Sequence, residues 1–239
     1  MTEESFDAFF EATFPRMLAR AIILCGHRQD AEDALADAYL SAFESWSRID
    51  RPEGWVYGVL VRRNWRLAEH RRAVQPTDLD TVRSLRGAAV SGPEETASAQ
   101  AILTAMAALP PRQRIVLVMQ CIEGYSQDEI RRILGIRSRS TVAAHLFKAR
   151  RALEKALGLL PPPTIPDNDG LIGREDGLVS AASRVDQLAA PLRAAEEWLR
   201  DAVAADSASA RRVRARVATG GSASRRRRWW GRAYTRAQR

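Results

Sequence analysis

Apolar residues recur every three or four positions through most of this chain, which is the spacing of an α-helix that buries one face. The clearest stripe runs through Ala31, Ala34, Leu35, Ala38, Tyr39, Ala42, Phe43 and Trp46. No segment alternates apolar and polar residues as a half-buried strand would, and the chain has no internal repeat. The pattern predicts an all-α protein.

The first block of helices precedes a proline- and glycine-rich stretch. Residues 6–22 have helical spacing, and Pro15 is expected to start a second short helix there. Residues 28–46 form the next predicted helix. After a break at 50–54, a third helix covers about residues 55–72.

A second block contains four shorter predicted helices. Residues 94–109 and 112–122 have helical patterns that end at a proline pair and near a glycine. Ser126 and Glu129 have the spacing of a capping box, which opens a short helix. A further helix is predicted at about residues 140–157.

This division predicts two small helical domains joined by a linker, the second a helix-turn-helix, followed by a partly helical extension. The predicted segments are a domain at 1–75, a linker at 76–93, a domain at 94–158, an extension at 159–206 and an arginine-rich tail at 207–239. One or two amphipathic helices, broken near Pro191, are expected in the extension. The small, polar and arginine-rich tail is expected to be disordered when free.

Composition excludes several classes of protein. The 239 residues are 46% hydrophobic and 28% charged, which is enough apolar material for a core. No apolar run approaches the roughly 18 residues of a membrane span, and the acidic N-terminus does not resemble a secretory signal. Two cysteines cannot form a disulfide framework. We therefore expect a cytoplasmic protein.

The net charge of +8 is unevenly distributed. Eleven arginines and no acidic residue follow Asp206, whereas residues 1–53 contain more acidic than basic residues. Residues 54–75 and 100–158 are both basic. Two separate basic zones indicate two contacts with a polyanion such as nucleic acid.

Two short helices joined by a turn, the second with outward-facing bases, are typical of a helix-turn-helix. Helical winding places Ala144, Phe147, Lys148 and Arg151 opposite the apolar stripe of the second helix, and such a face can reach base edges. Arg137 and Arg139 in the turn would meet phosphates. An ordinary helical hairpin with a solvated basic face is the alternative.

The helix at 55–72 interleaves aromatic and basic residues. An inward stripe of Val56, Val59, Leu60, Arg63 and Leu67 would leave Arg62, Arg66 and Arg71 more exposed. Rings such as Trp55 can stack on unpaired bases while guanidinium groups hold the backbone, which suits single-stranded nucleic acid. The alternative is that the tryptophans are core residues.

The helix at 28–46 has the opposite charge. Asp30, Asp33, Asp37 and Glu44 share a face away from the apolar stripe. Such a face is usually only solvated, but it can also dock a basic protein partner. It cannot bind phosphates.

Catalytic sites are not indicated. His27, His70 and His145 are in different predicted helices, and Cys25 with His27 lacks the further ligands of a zinc site. The sequence has neither a glycine-rich phosphate loop nor a nucleophile elbow. We therefore expect no enzyme activity, no metal and no cofactor.

Three motifs carry a family resemblance. Residues 30–46, beginning Asp-Ala-Glu-Asp-Ala-Leu, resemble the helix with which bacterial sigma factors bind core RNA polymerase. Residues 109–117 (LPPRQRIVL) and 123–130 (EGYSQDEI) resemble the start of their second DNA-binding domain. Two domains with a short linker resemble the extracytoplasmic-function group over about residues 5–158.

The resemblance implies a role for each basic or acidic zone. The acidic helix would dock on a coiled coil of the large polymerase subunit. The residues implied in binding and melting the minus-ten promoter element are Asp50, Trp55, Arg62, Arg63, Asn64, Arg66 and Arg71. Those implied in binding the minus-thirty-five element are Arg137, Arg139, Ser140, Thr141, Ala144, Lys148 and Arg151.

The sequence also departs from the family pattern. The turn at 137–140 is one residue longer than usual, and Ala143 and Ala144 stand where the family often has a base. An unusual promoter preference would follow. Residues 159–239 match no extension that we recognise.

A sigma factor is the first functional hypothesis. The alternative is a helix-turn-helix transcription regulator that acts on duplex DNA without polymerase, and a structural adaptor is the third. Residues 1–75 discriminate between them, because a repressor needs neither an acidic docking helix nor a melting helix. An anti-sigma protein is a further candidate partner, and the tail is expected to contact DNA phosphates or an anionic membrane surface.

Overall fold

The computed structural model describes residues 3–70, 92–158, 176–204 and 206–219. Over these ranges the regular structure is helical, which confirms the all-α prediction. The helices are α1 (Glu3–Cys25), α2 (Arg28–Glu44), α3 (Pro52–His70), α4 (Pro93–Ala107), α5 (Pro111–Cys121), α6 (Gln127–Leu134), α7 (Arg139–Ala156), α8 (Asp176–Ala204) and α9 (Ser207–Ala218), with a short 3₁₀ helix at Trp46–Arg48. Within the same ranges, none of these helices combines the length and apolarity needed to cross a bilayer.

Helix α1 corrects the prediction at Pro15. The helix runs through this proline without a second start. Phe10 and Phe14 before it, and Met17 and Leu18 around the next turn, are all buried in the core. Burial on both sides of Pro15 therefore offsets the roughly 3 kcal/mol that a proline costs inside a helix.

Helix α8 corrects the predicted break at Pro191 for the same reason. It is one continuous helix with Pro191 inside. Leu188, Leu192 and Leu199 are each 2% exposed or less, so one apolar face continues past the proline.

Helix α9 corrects the expected disorder of the tail. Residues 207–218 are helical, and Asp206 caps the helix by accepting a hydrogen bond from the Ala208 amide at 2.9 Å. Ser209 and Val213 are buried against α2, so the segment has an apolar face despite its arginines. The expectation for residues 220–239 lies outside the described residues, as does nearly all of the predicted linker.

The two predicted domains and the extension share one hydrophobic cluster. Helix α8 packs against α1 of the first block and against α4 and α5 of the second. Arg193 of α8 donates to the Cys121 carbonyl at 3.1 Å, and Trp198 donates to Thr96 at 3.4 Å. The extension is therefore part of the core in this structure.

A partly buried ionic cluster also joins the three segments. Arg20 of α1 lies 2.8 Å from Glu123 of the second block and 3.7 Å from both Glu196 of α8 and Glu53 of α3. Arg16 pairs with Glu53. Burial, opposed by Arg20 and reinforced by Glu196, raises the pKa of Glu123 to about 7. One arginine thus faces three carboxylates.

Shortening a buried side chain of α8 should destabilise the whole protein. Leu199 is fully buried, so Leu199→Ala should lower the free energy of unfolding by about 2–5 kcal/mol. The matched control is Leu67→Ala, because Leu67 is 40% exposed and surface changes cost about 0.5 kcal/mol or less. Urea unfolding followed by circular dichroism measures both. Equal costs for the two variants would show that α8 is not part of the core.

Stability should depend on pH through Glu123. Its pKa is about 7 in the folded protein against an ordinary 4.5, so the folded chain retains a proton that the unfolded chain releases between these values. The free energy of unfolding should therefore fall as the pH rises from about 4.5 to 7. Glu123→Gln should flatten this fall, whereas Glu197→Gln, an exposed neighbour on α8, should not. Identical pH profiles for all three proteins would contradict the raised pKa.

Candidate nucleic-acid interface

Helices α6 and α7 form the predicted helix-turn-helix. Ser126 and Glu129 make the predicted capping box at the start of α6, and Gly135 ends that helix in the left-handed conformation with φ of 68°. Ser138 caps α7 by accepting from the Ser140 amide at 3.1 Å. These local signals set the turn between the helices, and α7 begins one residue before the predicted start.

The buried side of α7 is the predicted one. Val142, Leu146, Ala149 and Leu153 are each 1% exposed or less and pack the helix against α5 and α6. This packing turns the other side of the helix outward. The exposed residues include Arg137, Ser140, Thr141, Ala144, Lys148 and Arg151.

One contact of this outward face was not predicted. Arg139 is 66% exposed but lies 3.5 Å from Asp128 of α6, so part of its charge is compensated. Phe147, which helical winding also placed on this face, is 64% exposed. An exposed ring beside basic residues adds an apolar contact to the face.

The beginning of α7 also contacts the first block. His145 meets the ring of Trp65 edge-on, with centroids 5.8 Å apart, and the Arg112 guanidinium lies 4.8 Å from the same ring. Burial, with Arg112 and Lys148 nearby, lowers the pKa of His145. Trp65 is 7% exposed and is therefore a core residue, which was the alternative to base stacking for the tryptophans of this helix.

Helix α3 differs from its predicted orientation. Val56, Val59 and Leu60 are buried as predicted, but Leu67 is 40% exposed and Asn64 is buried. The reason is that α3 packs against α2 on one side and against α5 and α6 on another, so its buried surface is wider than one stripe.

The polar residues of α3 make several internal bonds. Arg63 donates to Asp37 at 2.6 Å and to the Asp33 carbonyl at 3.1 Å. The Asn64 amide donates to the Leu60 carbonyl at 3.0 Å and accepts from the Cys25 thiol at 3.2 Å. Asn64 is therefore occupied within the protein.

The other residues implied in minus-ten binding lie nearer the surface. Asp50 is exposed, and the half-buried Trp55 donates to Ser41 at 3.4 Å. The guanidinium of Arg62 lies over Gly58, and Arg66 is half-buried. Arg71 lies outside the described residues. The DNA-binding roles of all these residues stay predictions.

The predicted acidic residues of α2 have different surroundings. Asp30 lines a cavity of about 180 Å³ together with Arg63 and Arg114. Asp33 and Asp37 are half-buried and face α9, whereas Glu44 is exposed at the end of the helix. Their role in binding polymerase stays a prediction.

Sequence reasoning missed Glu32, the most buried carboxylate of this helix. It is 4% exposed and accepts hydrogen bonds from Arg28 (3.2 Å), Ser209 (2.6 Å) and Arg212 (2.7 and 2.8 Å). Burial alone would raise the pKa of Glu32, but the bonds from Arg212, Ser209 and Arg28 hold it below its ordinary value. The acidic side of α2 is thus partly occupied by α9.

Comparison with known proteins agrees with the fold of the second block. Residues 99–153 match the family described as sigma-70, region 4. The chain is 30% identical over 161 residues to the ECF RNA polymerase sigma factor SigM of Mycobacterium tuberculosis, covering 65% of this chain and 79% of that protein. It is 28% identical over 166 residues to the ECF RNA polymerase sigma factor SigE of Mycolicibacterium smegmatis, covering 64% of this chain and 62% of SigE.

The chain thus spans less than two thirds of SigE but more than three quarters of SigM. The region 4 match covers the helix-turn-helix built by α6 and α7 and the helices that support it. The chain belongs to the extracytoplasmic-function family of RNA polymerase sigma factors.

Proposed function

We propose that this protein is a sigma factor that binds core RNA polymerase and directs promoter-specific initiation of transcription. The observation that carries the proposal is the outward face of α7, where Ala144, Lys148 and Arg151 are exposed in a helix-turn-helix of the region 4 family. Such a face fits the major groove of duplex DNA. The protein acts by binding and strand separation and not as an enzyme.

The two blocks have different DNA targets in this proposal. Residues 94–158 bind the minus-thirty-five element as duplex. Residues 1–75 bind core polymerase through the acidic face of α2 and open the minus-ten element through Asp50 and the basic side of α3. Flipping a base out of the stack costs a few kcal/mol, which contacts to the unpaired strand must offset.

Further partners follow from the same proposal. A protein that works with core polymerase would be located in the cytoplasm. An anti-sigma protein would bind the surfaces proposed for polymerase and DNA. For the tail beyond residue 219, we propose contact with DNA phosphates, which its arginines would neutralise. An anionic membrane surface is the other candidate.

The alternative function is a regulator that binds duplex DNA without polymerase. It would use the same face of α7 but would need no polymerase contact at the acidic face of α2. Run-off transcription with core polymerase over a promoter library distinguishes the two functions. Core-dependent transcripts starting at defined positions support the sigma factor, whereas DNA binding without any core-dependent transcript supports the regulator.

Removing one charge from the outward face of α7 should weaken duplex binding and its salt dependence. Arg151→Ala should lower the salt slope by about 0.9 if one phosphate contact is lost. The matched control is Arg200→Ala on α8, where the arginine is 40% exposed and pairs with Asp201. Fluorescence anisotropy of holoenzyme on a duplex upstream element measures the slope. Equal slopes for the two variants would exclude the α7 contact.

The two basic zones should fail at different steps. The pair Arg62→Ala and Arg66→Ala should reduce strand opening, because α3 would hold the unpaired strand. This defect should persist on a template that lacks the upstream element. The pair Lys148→Ala and Arg151→Ala should be defective only when that element is present. Permanganate reactivity of unpaired thymines measures opening, and the same defect for both pairs on both templates would contradict the division.

A further inference from the structure

Helix α9 lies on the side of α2 that the proposed function assigns to polymerase. We propose that α9 is a built-in occupant of this acidic surface, and that core polymerase must displace it to bind. The proposal rests on the proposed function of α2. In this proposal, the basic helix α9 and a basic surface of polymerase compete for the same carboxylates of α2.

An apolar seam seats α9. Ser209, Val213 and Val217 are four residues apart, so they lie on one face of the helix. Their exposed fractions are 0%, 1% and 9%. Because α9 buries this face on α2, no other protein can contact the same part of the α2 surface while α9 is docked.

Three arginines beside the seam pair with acidic residues of α1 and α2. Arg212 binds Glu32 at 2.7 Å, and Arg216 pairs with Asp33 and lies 4.0 Å from Asp37. Arg214 reaches α1, where it lies 2.9 Å from Asp7 and 2.6 Å from Glu11. The docking surface for α9 is therefore formed by Asp7, Glu11, Glu32, Asp33 and Asp37.

The overlap with the proposed polymerase site is direct. Asp33 and Asp37 belong to that site, and both face Arg216. While α9 is docked, Arg216 pairs with Asp33 and adds to the charge compensation of Asp37, which also bonds to Arg63 of α3 at 2.6 Å. The two carboxylates are then 36% and 28% exposed. A basic partner would therefore have to replace the arginines of α9 on this surface.

The docked helix can also be released. Arg214 and Arg216 are 47% and 43% exposed, and exposed ion pairs contribute little to stability and weaken with salt. Only Ala205 and Asp206 lie between α8 and α9, so the released helix stays close to the surface at high effective concentration. Displacement is then a reversible competition.

Charge reversal on α9 tests the competition in the full chain. The variant Arg212→Glu with Arg216→Glu places like charges against Glu32, Asp33 and Asp37. If α9 is docked in about 90% of free molecules, its release should raise the affinity for core polymerase about tenfold. Anisotropy of a fluorophore on the sigma factor, titrated with core polymerase, measures this affinity.

A matched control carries the same change in net charge at arginines that do not pair with α1 or α2. Arg200→Glu with Arg211→Glu reverses one arginine of α8, which pairs with Asp201, and one of α9, which donates to Ser207 of its own helix. The control should bind core polymerase as the wild type does. Thermal melting of each variant checks that α1–α3 stay folded.

A second readout needs no substitution. Amide hydrogen exchange of residues 207–218 in the wild type should be slow in the free protein and faster in the complex with core polymerase. Unchanged protection in the complex would overturn the proposal even if the charge-reversal variant failed to fold.

The affinity outcomes separate the proposal from the function on which it rests. Tighter binding of core polymerase by the α9 variant, but not by the control, supports the proposal that α9 occupies the polymerase surface. Equal binding by wild type, variant and control, or weaker binding by the variant, overturns the occupant and leaves the sigma factor function intact. No binding of core polymerase by any of the three overturns the proposed function, and the occupant with it.

Discussion

Glu32 of α2 is a buried carboxylate, and α9 supplies two of the three residues that donate hydrogen bonds to it. A buried charge without partners is strongly unfavourable, so such a residue is kept only where donors surround it. One of its donors, Arg28, comes from α2 itself, whereas Ser209 and Arg212 come from α9. The α2–α9 contact therefore positions α9 on the first block, directly after the helix α8 that packs on both blocks.

Signals between residues that are near in sequence predicted much of the fold. The capping box at Ser126 and the apolar stripe of α7 depend only on neighbours, and each is found where the sequence predicts it. Pro15 and Pro191 failed as boundaries because their cost is local, whereas the burial that offsets it depends on distant helices. The wider buried surface of α3 was missed for the same reason.

The charge pattern is consistent with the α2–α9 contact but did not predict it. An excess of acidic residues in 1–53 and eleven arginines after Asp206 indicate that the two ends of the chain can attract each other. The arginines were instead assigned to DNA or membrane, because net charge carries no pairing information. What sequence reasoning needed was the spacing of Ser209, Val213 and Val217, which gives the basic segment an apolar face.

The three segments of this sigma factor share one core, and α9 covers part of the acidic side of α2, where we propose that polymerase binds. The most direct measurement uses a cleavable crosslink between α1 and α9. Glu11 and Arg214 are in contact and neither is assigned to polymerase binding. They would be changed to cysteine, with Cys25 and Cys121 replaced by alanine, and joined by a bismaleimide that contains a disulfide.

The crosslinked protein should neither bind core polymerase nor support transcription, and reduction of the linker should restore both. Unchanged affinity for core polymerase in the crosslinked protein would contradict the account, because the α2 surface would then be accessible with α9 in place.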